Sequence, residues 1–265
     1  MLIIGERINT SRRQVNEAVE KRDAAFIQTD VRAQVEIGAH LIDVNASSRS
    51  RSELADLLWL IEVIEEAVPV RLSLDSSDPH CLRETVRRVR EIPMVNSITA
   101  EKVRFEKMVP VIQQRECDIV ALCMDERGIP KNVDQVIENA EKLTKDLEGL
   151  GVSRERIYLD PLIQALSTNT EAGLMGLEAI ERIHQKLPGV KTICGLSNIS
   201  FSLPKRSLVN RTFLALAMRA GLSGALVDPL DRNLMSVLKA TALVLGQDQY
   251  CRDYIRAYRE GRLES

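Results

Sequence analysis

Residues 41–75 read LIDVNASSRSRSELADLLWLIEVIEEAVPVRLSLD. An apolar run, Leu41-Ile42-Asp43-Val44-Asn45, is followed by a segment with helical spacing and then by a second run, Leu72-Ser73-Leu74-Asp75. In the middle segment Leu54, Leu57, Leu58, Ile61, Val63 and Ile64 fall largely on one side of a 3.6-residue period. Strand, helix and strand in close succession describe a parallel crossover. Both runs end in a carboxylate or a carboxamide, and the signature recurs further along. Met94-Val95-Asn96, Ile157-Tyr158-Leu159-Asp160 and Ile193-Cys194-Gly195-Leu196-Ser197-Asn198 repeat it. Buried parallel strands can be apolar throughout, so a polar group at the same end of each has no packing reason. In a barrel of parallel strands those ends converge on one face, where the chemistry is kept.

The whole chain alternates in this way. Strands are expected at 2–4, 41–44, 71–74, 93–95, 119–122, 156–159, 192–195 and 224–227. The clearest helical segments are 52–67, 79–90, 101–115, 132–149, 171–187, 207–220 and 231–246. Eight strand–helix units predict an α/β fold, a closed (β/α)8 (TIM) barrel forming one domain over residues 1–265. An open doubly wound sheet is the alternative. Asp78 before Pro79 reads as a helix cap, and Thr99 and Thr170 read as caps with Glu101 and Glu171 in the first turn. Asp75 and Asn96 stand three residues before two of these caps, so capping does not account for them. The length left for loops predicts an open mouth without a large lid, which suits a bulky or protein-bound second substrate.

Composition narrows the function. With 36 basic and 38 acidic residues the formal net charge is −2, so no general attraction to nucleic acid or an anionic membrane is built in. No stretch approaches the roughly 20 apolar residues of a membrane span, and no secretory signal pattern opens the chain. Five widely spaced cysteines (Cys81, Cys117, Cys123, Cys194, Cys251) and three distant histidines predict neither a disulfide framework nor a metal site, and suit the reducing cytoplasm. Nucleotide phosphate loops and a Gly-x-Ser-x-Gly elbow are absent from the sequence.

The candidate site residues are therefore the strand-end groups. Asp160 precedes Pro161, which biases it toward an extended conformation at a strand end. Its carboxylate can accept paired N–H donors from a planar heterocycle or simply form an Asp-Pro turn, and Asp75 reads as a site acid or a loop hydrogen bonder. Asn96 and Asn198 can each donate and accept or serve as turn asparagines; the joint occurrence of these groups at four strand ends favours the site. Lys205-Arg206 reads equally as an anion contact or as a solvated pair before a helix, while Phe201 and Met124 read as packing residues and His184 as surface.

Taken in order, these motifs resemble the pterin-binding barrel of methyltetrahydrofolate:corrinoid methyltransferases. Ile3-Ile4-Gly5-Glu6-Arg7-Ile8-Asn9, Ile42-Asp43-Val44-Asn45, Leu74-Asp75-Ser76 and Val95-Asn96-Ser97 are similar to the first four strand ends of that family. Gly128-Ile129-Pro130-Lys131 and Asp160-Pro161-Leu162 are similar to later loops. The most specific segment runs from Gly195 through Ser200 to Asn210-Arg211-Thr212-Phe213-Leu214-Ala215. The resemblance implies that Asp75, Asn96 and Asp160 bind the pterin, that Gly195 and Ser197 border it, and that Arg206 lies near it. It implies that Asn198 hydrogen-bonds N5 of the folate during catalysis, with Asp75 holding a water chain that carries the proton.

The implied activity is methyl transfer between N5 of tetrahydrofolate (or 5-methyltetrahydrofolate) and the cobalt of a corrinoid, by a homodimer. No Asp-x-His-x-x-Gly corrinoid motif occurs, so the cobalamin is expected from a partner corrinoid protein or free in solution. Two other readings remain at this point: a dihydropteroate synthase-like enzyme, and a folate-binding subunit without turnover. Ser197-Asn198-Ile199 stands where the synthases place a basic pattern.

Overall fold

The computed structural model describes residues 1–264. Eight parallel strands close in sequence order into a barrel, β8 pairing back onto β1. They are β1 (Leu2–Asn9), β2 (Leu41–Asn45), β3 (Arg71–Asp75), β4 (Met94–Thr99), β5 (Asp118–Leu122), β6 (Ile157–Asp160), β7 (Lys191–Gly195) and β8 (Gly224–Val227). Closure rules out the open doubly wound sheet.

The described residues form ten α-helices around the barrel. Seven follow the expected periodicity: α3 (Glu53–Ala67), α4 (Pro79–Val86), α5 (Lys102–Ile112), α6 (Val133–Gly149), α7 (Ala172–Lys186), α8 (Arg206–Ala220) and α9 (Arg232–Val244). Three more lie outside those clearest segments: α1 (Arg13–Lys21) and α2 (Ala24–Ile37), which fill the connection expected after the first strand, and α10 (Arg252–Arg259). α1 buries only Val15, Ala18 and Val19, and α10 only Ala257, so their apolar stripes are too narrow to announce themselves.

Strand alternation separates two cores. Inside the barrel, Ile4, Leu41, Met94, Val120, Tyr158 and Ile193 form a packed apolar layer. Outward-facing residues such as Ile42, Val44, Leu72, Leu74, Val95 and Ile119 pack under the helices. Counting two residues onward from the inner layer reaches Glu6, Asp43 and Asn96 within their strands and Leu122, Asp160 and Gly195 at the carboxyl ends of theirs. Two further steps along β2 and β3 bring Asn45 and Asp75 side by side in register.

Two strands run longer than their apolar stretches. In β1 the register with β2 slips between Gly5 and Ile8, and in β4 the register with β5 slips between Asn96 and Ile98. One extra residue enters each strand there, a bulge that re-aims the side chains next to it. β1 thus continues to Asn9 rather than ending at residue 4, because the backbone ladder resumes beyond the polar Glu6-Arg7 pair.

Capping is as expected at one site and not at two. The Asp78 carboxylate accepts from the His80 N–H at 2.8 Å, with Pro79 in the first turn. Thr99 instead ends β4 and donates its hydroxyl to Glu101 at 2.9 Å, leaving α5 without a side-chain cap. Thr170 precedes Glu171 at the start of α7, which makes no side-chain cap either. Both helices are held by packing against the sheet instead.

The amino-terminal end of the barrel is polar but internally satisfied. Arg71 donates to Asp118 at 2.6 Å, and Lys191 donates to the Tyr158 hydroxyl at 3.0 Å. The opposite end is not closed in this way.

Candidate active site

On the β2–β4 side the mouth is a linked set of amides and acids. Asn45 donates its carboxamide N–H to Asp75 at 2.7 Å. Asp43 accepts from the Ser73 hydroxyl at 2.7 Å and from the Asn96 carboxamide at 3.3 Å. Burial holds the Asp43 carboxyl well above the ordinary carboxylate range, and the neighbouring Asp75 charge raises it further. Asp75 is raised too, by burial first; the Asn45 hydrogen bond opposes the shift and the Glu53 charge adds to it. Two buried acids of the same sign cannot both ionise cheaply, which is why both carboxyls are shifted upward.

Asp160 faces them from β6. It is 9% exposed, and its one protein partner is the Leu162 N–H at 2.7 Å. Burial pushes its carboxyl up to about 7, against the pull of that N–H. A buried carboxylate with most of its acceptor capacity free is costly unless a ligand supplies donors.

Beyond β7 a 3-10 helix, Leu196–Ser200, carries Asn198 at the rim with its side chain exposed. Gly195 makes that position possible. A Cβ there would come within 3.2 Å of the Asn198 Nδ2, closer than most real contacts. Arg206 pins the segment, donating to the Ser197 carbonyl at 2.6 Å and the Ser200 hydroxyl at 3.0 Å. Phe201 is 61% exposed, so it is not the packing residue expected from sequence. His184 lies on the surface as expected.

The fold therefore brings Asp75, Asn96, Asp160, Gly195, Ser197, Asn198 and Arg206 to one end of one barrel. It adds Glu6, which sequence reasoning passed over. The two-residue period from Ile4 was the available signal, lost because the strand was ended too early. Glu6 sits in the mouth, pushed up to about 7 by burial and by Asp228, with Arg12 and Arg206 pulling it down. Behind it Arg7 forks onto Asp30, with Nη2 at 2.7 Å, and reaches Asp228 at 2.8 Å. Among the described residues no group of three or more histidine, cysteine or acidic side chains stands close enough to hold a metal ion.

Chemically, this is a set of hydrogen-bonding groups with two acids, Glu6 and Asp160, pushed up to about 7, suited to a flat, nitrogen-rich ligand that exchanges a proton. Comparisons with known proteins agree. Residues 5–228 match the pterin binding enzyme family. A methylcorrinoid:tetrahydrofolate methyltransferase of Eubacterium limosum is 35% identical over 265 residues, covering 99% of this chain and 98% of that protein. Methionine synthase of Mycobacterium tuberculosis is 29% identical over 96% of this chain, which spans 23% of that longer protein. The structure of dihydropteroate synthase from Xanthomonas albilineans in complex with 7,8-dihydropteroate superposes with a TM-score of 0.69 at 20% identity, covering 94% of this chain and 93% of that one. At that identity it speaks for the barrel alone. Matched over most of its length and carrying the polar mouth just described, the chain belongs to the pterin-binding enzymes.

Proposed function

We propose that this protein is a methyltransferase that moves a methyl group between N5 of tetrahydrofolate and the cobalt of a corrinoid brought by a partner protein. The end-to-end 35% identity to a methylcorrinoid:tetrahydrofolate methyltransferase carries this reading. The chemistry of the mouth supports it. The N3–H and 2-amino group of a reduced pterin are the paired donors that the free oxygens of Asp160 lack, and Asp75 and Asn96 grip the same edge. Gly195 and Ser197 border the ring, and Arg206 holds that border in place.

In the direction of folate methylation, methyl leaves cobalt as a formal cation, the bonding pair staying on the metal. The N5 lone pair forms the new bond and N5 then gives up its proton. In the reverse direction N5 must first gain that proton, because an uncharged tertiary amine leaves poorly. Asn198 accepts a hydrogen bond from the cationic N5–H through its carbonyl without competing as a base. A dipole aimed at developing charge contributes about 10²–10³-fold. Asp75, whose carboxyl burial raises above the ordinary carboxylate range, relays the proton through water, and Glu6, pushed up to about 7, is a second group for that role.

We read residues 1–265 as one functional domain and the protein as a cytoplasmic homodimer. All five cysteines are free thiols, four of them buried, and no described helix is long and apolar enough to cross a membrane. An apolar groove between α7 and α8, with Leu174, Leu208 and Leu216 at least half exposed, supports self-association.

The direct test is anaerobic mixing with methylcobalamin and tetrahydrofolate, following the corrinoid spectrum. Turnover is expected. In Asn198→Ala the rate falls about 10²-fold while the pterin dissociation constant stays within about threefold. Equal rates remove Asn198 from the mechanism. Pterin binding without turnover on any corrinoid leaves only a folate-binding subunit.

A further inference from the structure

Asn45 is buried in the mouth beside Asp75, and its neighbours leave its side chain one arrangement. The carboxamide oxygen accepts twice from Ser47, from the N–H at 3.0 Å and from the hydroxyl at 2.7 Å. The amide nitrogen therefore faces β3, where it donates to Asp75 Oδ2 at 2.7 Å. Turning the amide over would set its N–H against the Ser47 N–H and its oxygen against a carboxylate. The frame is fixed as well. The Asn45 carbonyl accepts from the Thr10 N–H at 3.0 Å, and the Ser48 hydroxyl donates to Thr10 Oγ1 at 2.6 Å. Arg49, the last residue of the 3-10 turn Ser47–Arg49, donates to Asp56 on α3 at 2.7 Å and to Asn16 on α1 at 3.1 Å.

Turn formation accounts for only half of this. Aspartate makes the same two-residue turn elsewhere in the chain: Asp125 accepts from the Arg127 N–H at 2.9 Å, and Asp228 from the Leu230 N–H at 3.0 Å. What asparagine adds at position 45 is an N–H for Asp75. Among the described residues that is the one hydrogen bond Asp75 accepts, so Oδ2 is held and Oδ1 is left open. The bond also acts against the surroundings. Asp43 on β2 and Glu53 on α3 carry like charge toward Asp75, with Glu6 on β1 acting on Asp43.

We propose that Asn45, its amide set by Ser47, is a positioning residue for pterin binding, holding Oδ2 of Asp75 so that Oδ1 is presented to the N–H donors of the pterin. The proposal rests on the pterin reading and deepens it. An N–H donated to a carboxylate favours the ionised form, and that is the form able to accept from the pterin.

The test is calorimetric titration with 6-methyltetrahydropterin at pH 6 and pH 9, with melting temperatures, for wild type, Asn45→Ala and Asn45→Asp. Affinities are read relative to wild type at each pH, which cancels the titration of Glu6 and Asp160 common to all three proteins. Asn45→Ala is expected to bind about tenfold more weakly at both pH values. Asn45→Asp still accepts from Ser47 and keeps the turn, so it remains informative if Asn45→Ala unfolds. At pH 6 the introduced carboxyl and Asp75 share a proton, one donating to the other, and binding stays within about threefold of wild type. At pH 9 that proton is gone, like charges drive Asp75 from its place, and relative affinity falls at least about tenfold. A turn-forming role produces no such dependence. Wild-type affinity in Asn45→Ala overturns the proposal. So does an Asn45→Asp variant whose affinity relative to wild type is the same at both pH values, which leaves Asn45 to the turn alone. If wild type itself does not bind the pterin, the pterin reading has failed and this proposal falls with it.

Discussion

Replacing Asp160 by asparagine is expected to make the unliganded protein more stable and a worse pterin binder. The carboxyl is buried, and its pKa is pushed from 3.8 up to about 7. Between those values the folded protein binds more protons than the unfolded chain, so stability falls as pH rises through the window and is lowest above it. The gap corresponds to about 4 kcal/mol at pH 8. Asparagine carries no charge there, fills the same space, and its Oδ1 can still accept from the Leu162 N–H. After relaxation around the charge, a gain of about 2 kcal/mol is expected, raising the melting temperature by about 4–8 °C for a chain of this size. The assay is thermal unfolding of both proteins without ligand at pH 8 and pH 5. At pH 5 the folded wild type is largely protonated at Asp160, and the gain shrinks by more than half. Tetrahydrofolate binding is expected to weaken about 10–100-fold, the cost of losing charge-assisted hydrogen bonds. If the variant is no more stable at pH 8, or equally stabilised at pH 5, Asp160 is not a buried charge awaiting a ligand. If it binds folate like wild type, Asp160 is not the anchor.

Three further perturbations follow from the geometry. Gly195→Ala places a Cβ 3.2 Å from the Asn198 Nδ2; the rate of methyl transfer should drop at least about tenfold with little change in melting temperature, and an unchanged rate would show that Asn198 works from another position. Glu6→Gln removes a group titrating at about 7. The limb of the kcat/KM–pH profile near neutrality should move or flatten, and a superimposable profile excludes Glu6 from proton transfer. Leu208→Glu puts a charge on the α7–α8 groove. Sedimentation should report monomers in place of dimers, whereas an unchanged mass points to a different interface.

The carboxylates of the mouth also explain where this protein spends stability. At the amino-terminal end of the barrel Arg71 pairs with Asp118 and Lys191 donates to the Tyr158 hydroxyl. At the carboxyl end Asp160 and Glu6 do not, although an apolar or amide side chain would pack there at lower cost. Unpaired buried acids at one end only are the mark of groups kept for a ligand rather than for the fold.

The sequence by itself determined the barrel, its eight strands, seven of its helices, and the ring of strand-end groups. It could do so because parallel strands buried on both faces have no use for a polar residue. Asp75, Asn96, Asp160 and Asn198 therefore stood out against their apolar neighbours. What it left undecided were relations between distant residues and departures from regular spacing. The bulge in β1 that carries the strand past Glu6 arises from register with β2, which no local pattern encodes. The pairing of Asn45 with Asp75 across 30 residues depends on strands meeting side by side, and so do the raised pKa values of Asp43 and Asp160. Phe201 reads as core in any list of residue types; only the turn beyond Asn198 puts it in water. Periodicity is a property of one strand, whereas burial and charge belong to the assembled barrel.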